Sequence, residues 1–285
     1  MIRELSPSVV RKIWGGKKLE VMKCLSPSNG LEPIGETLEI CEEHLPYLAK
    51  FIDTSDELSI QVHPGDEYAR LHEKSLGKTE CWLILEASVG AGVYLGLKPH
   101  VTKDLLKDSL NQKKEINHLL NFYPVKKGDF FYVTAGSIHA IGKNITLAEV
   151  QQNSGITYRV WDWDRVDEKG LGRELHINKS LDVINFEKGS NTSDFFRPRS
   201  QLFETDGLYE LCEHPQFHLF LLNLKKGHTY QKDLTKLNRP SSILNLEGKV
   251  LINEKSLNAF SALLIDQENI LKIEALDDGP LLLIF

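Results

Sequence analysis

The chain of 285 residues carries 34 Lys and Arg against 40 Asp and Glu, a formal net charge of -6, and is 41% hydrophobic and 26% charged. Such values describe an ordinary soluble globular protein with enough chain for one large or two modest domains, each with a real core. They argue against nucleic-acid binding, which needs clustered Lys and Arg; Lys113-Lys114 and Lys126-Lys127 are too short to form a basic patch.

The N-terminus, Met1-Ile-Arg-Glu-Leu-Ser-Pro7, has a charge pair and no long apolar stretch, so neither signal peptide nor membrane anchor is expected and a cytoplasmic location follows. Cys24, Cys41, Cys81 and Cys212 show no Cys-x-x-Cys spacing, and isolated cysteines in a cytosolic chain are usually reduced and buried. The sequons at Asn144, Asn178 and Asn191 are then chance matches.

The first informative element is the strand-like run Leu58-Ser-Ile-Gln-Val-His63. Successive strand side chains point to opposite faces, so Leu58, Ile60 and Val62 share one and Ser59, Gln61 and His63 share the other. Three polar positions on one face of an otherwise apolar strand need a reason if that face is interior, and a bound cation supplies one. A lone His is more often a hydrogen-bonded core or surface residue than a ligand. Asp66 to Lys74 then reads as a helix, which makes Glu67 a first-turn residue stabilised by the helix dipole.

Glu80 begins the apolar run Trp82 to Leu85 and would be carried inward by a buried strand. A chemically active zinc site keeps an open position beside three ligands drawn from His, Glu, Asp and Cys. Glu80 is therefore the preferred anionic ligand, with Glu67 as the competitor. Gly92 to Leu95 is a further strand; Gly90-Ala-Gly-Val-Tyr-Leu-Gly96 is a near miss to a dinucleotide fingerprint, because Leu97-Lys-Pro99 follows in place of a helix. Thr102 to Leu120 reads as a helical insert, capped by Thr102, that could cover one mouth of a barrel.

Phe130 to Val133 forms a strand, and the tight Gly136 turn places His139 just beyond it, giving a second segment that converges on the first. Glu149 lies on the strand Ile145 to Val150, as a base, a ligand-orienting group or an exposed strand residue. Arg159, with Trp161 and Trp163 at alternate positions, either faces the site or stacks on an aromatic face. From Lys188 to Ser200 the composition shifts to Gly, Ser, Asn, Thr and Pro, which reads as a linker. Beyond it Phe217 to Leu224, Ser241 to Leu246 and Pro280 to Phe285 read as strands. The expected architecture is mainly β, with a catalytic unit at 1-195 that carries the helical insert near 102-120 and a smaller jelly-roll unit at 201-285.

Four blocks, Gln61-Val-His63-Pro64, Gly77-Lys78-Thr79-Glu80-Cys81-Trp82, Gly136-Ser-Ile-His139-Ala140 and Gln152 through Tyr158-Arg159-Val-Trp-Asp-Trp-Asp-Arg165, resemble the type I mannose-6-phosphate isomerases in their short bacterial form. The likeness extends from Ile13-Trp14-Gly15-Gly16 through Gly35-Glu36-Thr37-Leu38-Glu39-Ile40 to Arg173-Glu-Leu-His176 and covers about two thirds of the chain. It implies two cupin-like jelly-roll barrels; Gln61 stands where a typical cupin has its first His, and Thr134 where the second cupin signature prefers proline. It further implies one zinc ion per chain held by Gln61, His63, Glu80 and His139. Spacing alone leaves manganese, iron or cobalt open.

The resemblance also implies an aldose-ketose isomerase acting on D-mannose 6-phosphate and D-fructose 6-phosphate, a small-molecule sugar phosphate being its partner. Arg159, Glu149 and Lys78 are the expected catalytic residues, and Ser59, Lys78 and Arg159 the substrate-binding ones. The alternatives are another cupin sugar isomerase, an iron-dependent dioxygenase and a non-catalytic sugar-binding paralogue. The oligomeric state stays open.

Overall fold

Short β-branched and aromatic runs, broken by Gly, Pro and Asn turns, pair into four antiparallel sheets in the computed structural model, which describes residues 1-237 and 240-285. A six-stranded sheet is ordered Ser8–Gly16, Ile34–Ile40, Tyr47–Asp53, Ile145–Gln152, Glu80–Ala87, Phe130–Val133. Facing it is a five-stranded sheet ordered Tyr158–Trp161, Ile60–Val62, His139–Ile141, Gly92–Leu97, Leu120–Pro124. Ile52, Trp82, Ile84, Val93, Leu95, Phe131, Ile141 and Leu147 fill the space between them. The mainly β, cupin-like fold expected from the sequence is the one observed.

The second unit repeats the plan with a six-stranded sheet, in the order Ile2–Leu5, Ser261–Ile265, Ser241–Asn245, Gly279–Ile284, Phe217–Leu224, Gly207–His214, and a four-stranded sheet of Thr229–Asp233, Ile270–Ala275, Val250–Ile252 and Lys255–Leu257. The two six-stranded sheets lie back to back. Tyr47, Phe51, Cys81 and Leu83 of one share a continuous apolar cluster with Leu211, Cys212, Phe217, Leu219 and Leu244 of the other. Burying large apolar side chains contributes roughly 1.5–3 kcal/mol each, so this seam is a main source of cohesion.

Three sequence-based expectations need correction. The strand Ile2–Leu5 pairs with Ser261–Ile265, Ile2 opposite Ile265, so the start of the chain belongs to the second unit's sheet. Ile2 and Leu5 are each 7% exposed: Ile2 packs in the second unit's core with Leu263 and Ile265, and Leu5 joins the cluster between the two six-stranded sheets. Secondly, the helix expected over 102-120 ends at Asn111. Thr102 does cap it, accepting from Leu105 N–H at 3.2 Å, but Lys113 turns into the left-handed region at φ 53 and breaks the run.

That helix does not cover a barrel mouth. Leu106 and Leu110 pack with Val101, Leu119 and Val160 on the outer face of the five-stranded sheet, beside Leu181 of a further helix, Ile177–Val183. Thirdly, the stretch expected as a linker is built into the fold. Phe196 is 1% exposed in the barrel core, and Arg199 exchanges backbone hydrogen bonds with Phe130. Aromatic Phe195-Phe196 outweighs the polar composition around it. No helix among the described residues is long and apolar enough to cross a membrane.

Candidate active site

The polar face of the Ile60–Val62 strand does point between the two facing sheets, while Ile60 and Val62 pack outward against the helices. His139 stands directly opposite Gln61 in the antiparallel pairing, and Arg159 flanks Gln61 on its other side. The Gly136 turn makes this possible. Gly136 adopts φ 84, where only glycine avoids a steric penalty, and its N–H donates to the carbonyl of His63 at 2.8 Å, tying the two histidine segments together.

Across the barrel, Glu80 opens its strand opposite Gln151, and Glu149 stands between Lys50 and Trp82. The side chains converge. His63 Nε2 lies 3.4 Å and His139 Nε2 3.3 Å from the two oxygens of Glu80. Gln61 Nε2 is 3.3 Å from His139 Nε2. Each histidine is oriented from behind, His63 Nδ1 donating to the Ile156 carbonyl at 2.8 Å and His139 Nδ1 to the Ser137 carbonyl at 2.9 Å. That fixes the tautomer, so both Nε2 lone pairs face the Glu80 carboxylate, the arrangement that backbone carbonyls behind the ring impose on metal-binding histidines.

His63, Glu80 and His139 are fully buried and offer ligand atoms within 4.8 Å of one another, a group able to hold a metal ion. The residues fit such an ion on their own chemistry: two imidazoles, one buried carboxylate, and an adjacent amide. Glu67, the competing carboxylate, is exposed in the first turn of the helix Asp66–His72.

The electrostatics support neutral imidazoles beside a charged Glu80 carboxylate. Burial, with the Lys78 ammonium nearby, pushes His63 down to about 3, and burial also lowers His139. Burial opposes the charge on Glu80, but the Lys78 ammonium outweighs it and holds its carboxyl well below the usual range. Lys78 Nζ sits 2.9 Å from Glu80 and 3.1 Å from His63 Nε2. It reaches this depth because Gly77 packs its backbone against Asp66, with no room for a side chain, and Lys78 N–H donates to the Pro64 carbonyl at 3.0 Å.

Glu149 is buried 4.0 Å from Lys78 and 3.0 Å from Lys50, and its other oxygen accepts from the Trp82 indole at 3.1 Å. Burial and the nearby Glu80 push its carboxyl up, against the pull of the lysines. Sequence reasoning did not single out Lys50, which also pairs with Glu36 at 3.3 Å. The signal was present: in the apolar run Tyr47-Leu-Ala-Lys-Phe-Ile-Asp53, strand alternation puts Lys50 on the face of Leu48 and Ile52. A lysine there requires buried carboxylates. Burial opposes its charge, yet Glu149 and Glu36 raise its pKa.

The fold does not bring every expected residue into this group. Among the described residues, Ser59 and Arg159 make no hydrogen bond or ion pair with it. Ser59 is buried two positions before Gln61. The Arg159 guanidinium donates to the Glu174 carbonyl at 2.7 Å, although its strand position is adjacent to Gln61. His44 is exposed, and His176 accepts the Arg159 backbone N–H through Nδ1 at 3.0 Å.

No family model matches the chain. It is similar to the mannose-6-phosphate isomerase of Streptococcus mutans, 38% identical over 224 residues that make up 66% of this chain and 69% of that protein. The chain belongs to the mannose-6-phosphate isomerase family. A second relative, mannose-6-phosphate isomerase ManA of Bacillus subtilis, is 46% identical over 143 residues, 50% of this chain and 45% of its own. The crystal structure of the Bacillus subtilis mannose 6-phosphate isomerase superimposes with a TM-score of 0.81 at 25% identity, covering 99% of this chain and 98% of that one. A putative mannosephosphate isomerase from Archaeoglobus fulgidus shares the fold, with a TM-score of 0.77 at 19% identity and 100% and 97% coverage.

Proposed function

We propose that the chain interconverts D-mannose 6-phosphate and D-fructose 6-phosphate. The observation that carries this reading is one buried cluster in which a possible metal triad, His63, Glu80 and His139, adjoins an ammonium and a carboxylate, Lys78 and Glu149. The isomerase names of the relatives point the same way. The metal is zinc, one per chain, with Gln61 completing its ligands; a mixed nitrogen and oxygen set suits that ion. When bound, it supplies Lewis-acid polarisation of the sugar's carbonyl oxygen.

The reaction moves a proton from C2 of the aldose to C1 and another from the C2 hydroxyl to O1, with no net gain or loss. Glu149 is the proton carrier between the two carbons, since its raised pKa makes it a stronger base than an exposed carboxylate. Lys78 and Arg159 stabilise the negative charge that develops on the oxygens. Ser59, Lys78 and Arg159 hold the substrate, the guanidinium of Arg159 being suited to an anionic or vicinal-oxygen partner.

We take residues 1-195 as the catalytic unit and 201-285 as a smaller jelly roll, with the strand Ile2–Leu5 lent to the latter's sheet. Four free cysteines favour a reducing compartment, the cytoplasm. The test is a coupled assay of fructose 6-phosphate formation from mannose 6-phosphate, before chelation, after it, and with zinc restored. Equal turnover in chelated and zinc-restored protein removes the metal; metal binding without turnover leaves a sugar-binding protein.

A further inference from the structure

The segment that follows Arg159 holds a buried ionic knot that the chemistry above does not use. Asp162 is 4% exposed, and its carboxylate takes both guanidiniums of Arg165 and Arg173. Arg173 binds it as a fork, Nε to Oδ2 at 2.7 Å and Nη2 to Oδ1 at 2.5 Å, while Arg165 Nη2 reaches Oδ1 at 2.7 Å. Between Asp162 and Arg165 the chain reverses sharply. Trp163 and Asp164 both occupy the left-handed region, φ 58 and 54, a conformation that is unfavourable for a side-chain-bearing residue and persists only where surrounding contacts enforce it.

What the fork secures is the segment Arg173 to His176. The carbonyl of Glu174, next in the chain, accepts Arg159 Nη1 at 2.7 Å. His176 then brackets the Arg159 backbone, its N–H donating to the Arg159 carbonyl at 2.7 Å while its ring accepts the Arg159 N–H at 3.0 Å. Beyond His176 the segment is anchored by the helix Ile177–Val183, whose Leu181 packs against Tyr158 and Val160 on either side of Arg159. The helix fixes one end of the segment. Asp162 fixes the other.

We infer that Asp162 is a positioning residue for Arg159, acting through the Arg173 fork and the Glu174 carbonyl to fix the guanidinium of a residue that pairs in register with Gln61. A bidentate arginine-carboxylate pair is suited to this because it sets orientation as well as distance. The inference rests on the proposed isomerase reading for its kinetic consequence, but the position of Arg159 can be read without turnover.

The experiment compares Asp162→Asn, Arg173→Ala and Arg173→Lys, each with and without Arg159→Ala, in the zinc-loaded full chain. Displacing a reacting group by about 1 Å can cost on the order of 100-fold, so kcat/KM should fall by roughly 10–100-fold in Asp162→Asn, with bound zinc unchanged. Arg173→Lys, which keeps the charge and loses the fork, should fail to restore it. In the Arg159→Ala background the same changes should add less than about twofold, because the residue they position is gone. Arg173→Ala leaves Asp162 paired with Arg165 and serves if Asp162→Asn does not fold.

Independently of activity, the Arg159 side-chain Nε–H resonance, assigned by its loss in Arg159→Ala, should be sharp in the parent protein and broadened by exchange with water in Asp162→Asn and Arg173→Ala. An inactive parent protein with this NMR change overturns the isomerase reading and leaves the positioning role standing. An unchanged resonance, or a full kinetic loss that persists in the Arg159→Ala background, overturns the positioning role.

Discussion

His139 faces Gln61 across an antiparallel strand pair, and their side-chain nitrogens meet 3.3 Å apart at the edge of the Glu80 carboxylate. Two strands distant in sequence thus deliver donors to one point. Replacing His139 by Ala should reduce bound metal well below one per chain and lower turnover by more than the roughly 10–100-fold typical of losing an outer-sphere partner. Metal analysis after dialysis, with circular dichroism to verify the fold, checks this; full metal occupancy in His139→Ala would sink it.

Lys50 lies 3.0 Å from Glu149, and its positive charge favours the ionised carboxylate. If Glu149 is the base, kcat rises with pH as it ionises, and this limb lies above the usual carboxylate range because burial and Glu80 push the group up. Lys50→Met removes a cation, so the limb should move to higher pH. A group whose folded pKa is raised contributes stability at low pH and loses it as pH climbs through the folded value. Lys50→Met should therefore be least stable, relative to the parent, near and above neutrality. A limb unchanged in position argues that Glu149 is not the base.

Glu36 should act in the opposite sense. It shares the Lys50 ammonium at 3.3 Å, and Lys12 lies 3.7 Å away on its outer side. Glu36→Gln removes an anion and leaves Lys50 to Glu149 alone, which favours the ionised Glu149. The acidic limb of kcat should shift to lower pH, with KM little changed, and the pair of opposite shifts is the signature to measure.

The Trp82 indole N–H donates to the second Glu149 oxygen at 3.1 Å inside the barrel. Trp82→Phe keeps most of the ring and strips that donor, leaving a buried carboxylate oxygen unsatisfied. The expected loss is about 1–3 kcal/mol of stability, on top of the cost of the smaller ring, read as a lower denaturation midpoint. No loss would mean that water replaces the indole.

Expressed alone, residues 201-285 should not form a stable domain. They lack the edge strand Ile2–Leu5, and they expose the face on which Phe217, Leu219 and Leu244 meet Tyr47 and Phe51. Supplying residues 1-7 as a peptide should not rescue the fragment, because that face stays uncovered. A cooperative thermal transition in the isolated fragment would contradict this.

The site was legible to different degrees for physical reasons. Alternation in Leu58-Ser-Ile-Gln-Val-His63 places Gln61 and His63 on one face with no other information, and the apolar run after Glu80 carries that carboxylate inward. Lys50 was harder to see because one charge in a buried run has meaning only beside partners on neighbouring strands, which depend on sheet order. The Asp162 knot was hidden for the same reason, since Asp162 and Arg165 are joined by a chain reversal through two left-handed residues, Trp163 and Asp164, that no periodicity announces. Composition misjudged Lys188 to Ser200, where Phe196 decides the packing.

Pairing of Ile2–Leu5 with Ser261–Ile265 joins segments that lie far apart in the sequence. On a ribosome adding about 5–20 residues per second, Ile2–Leu5 waits roughly a quarter of a minute to a minute before its partner exists. Throughout synthesis it is an open, partly apolar β-edge in search of a neighbour. Ile2–Leu5 is made long before it can find its place, and nascent chains stalled before residue 261 should be the ones that chaperones hold longest.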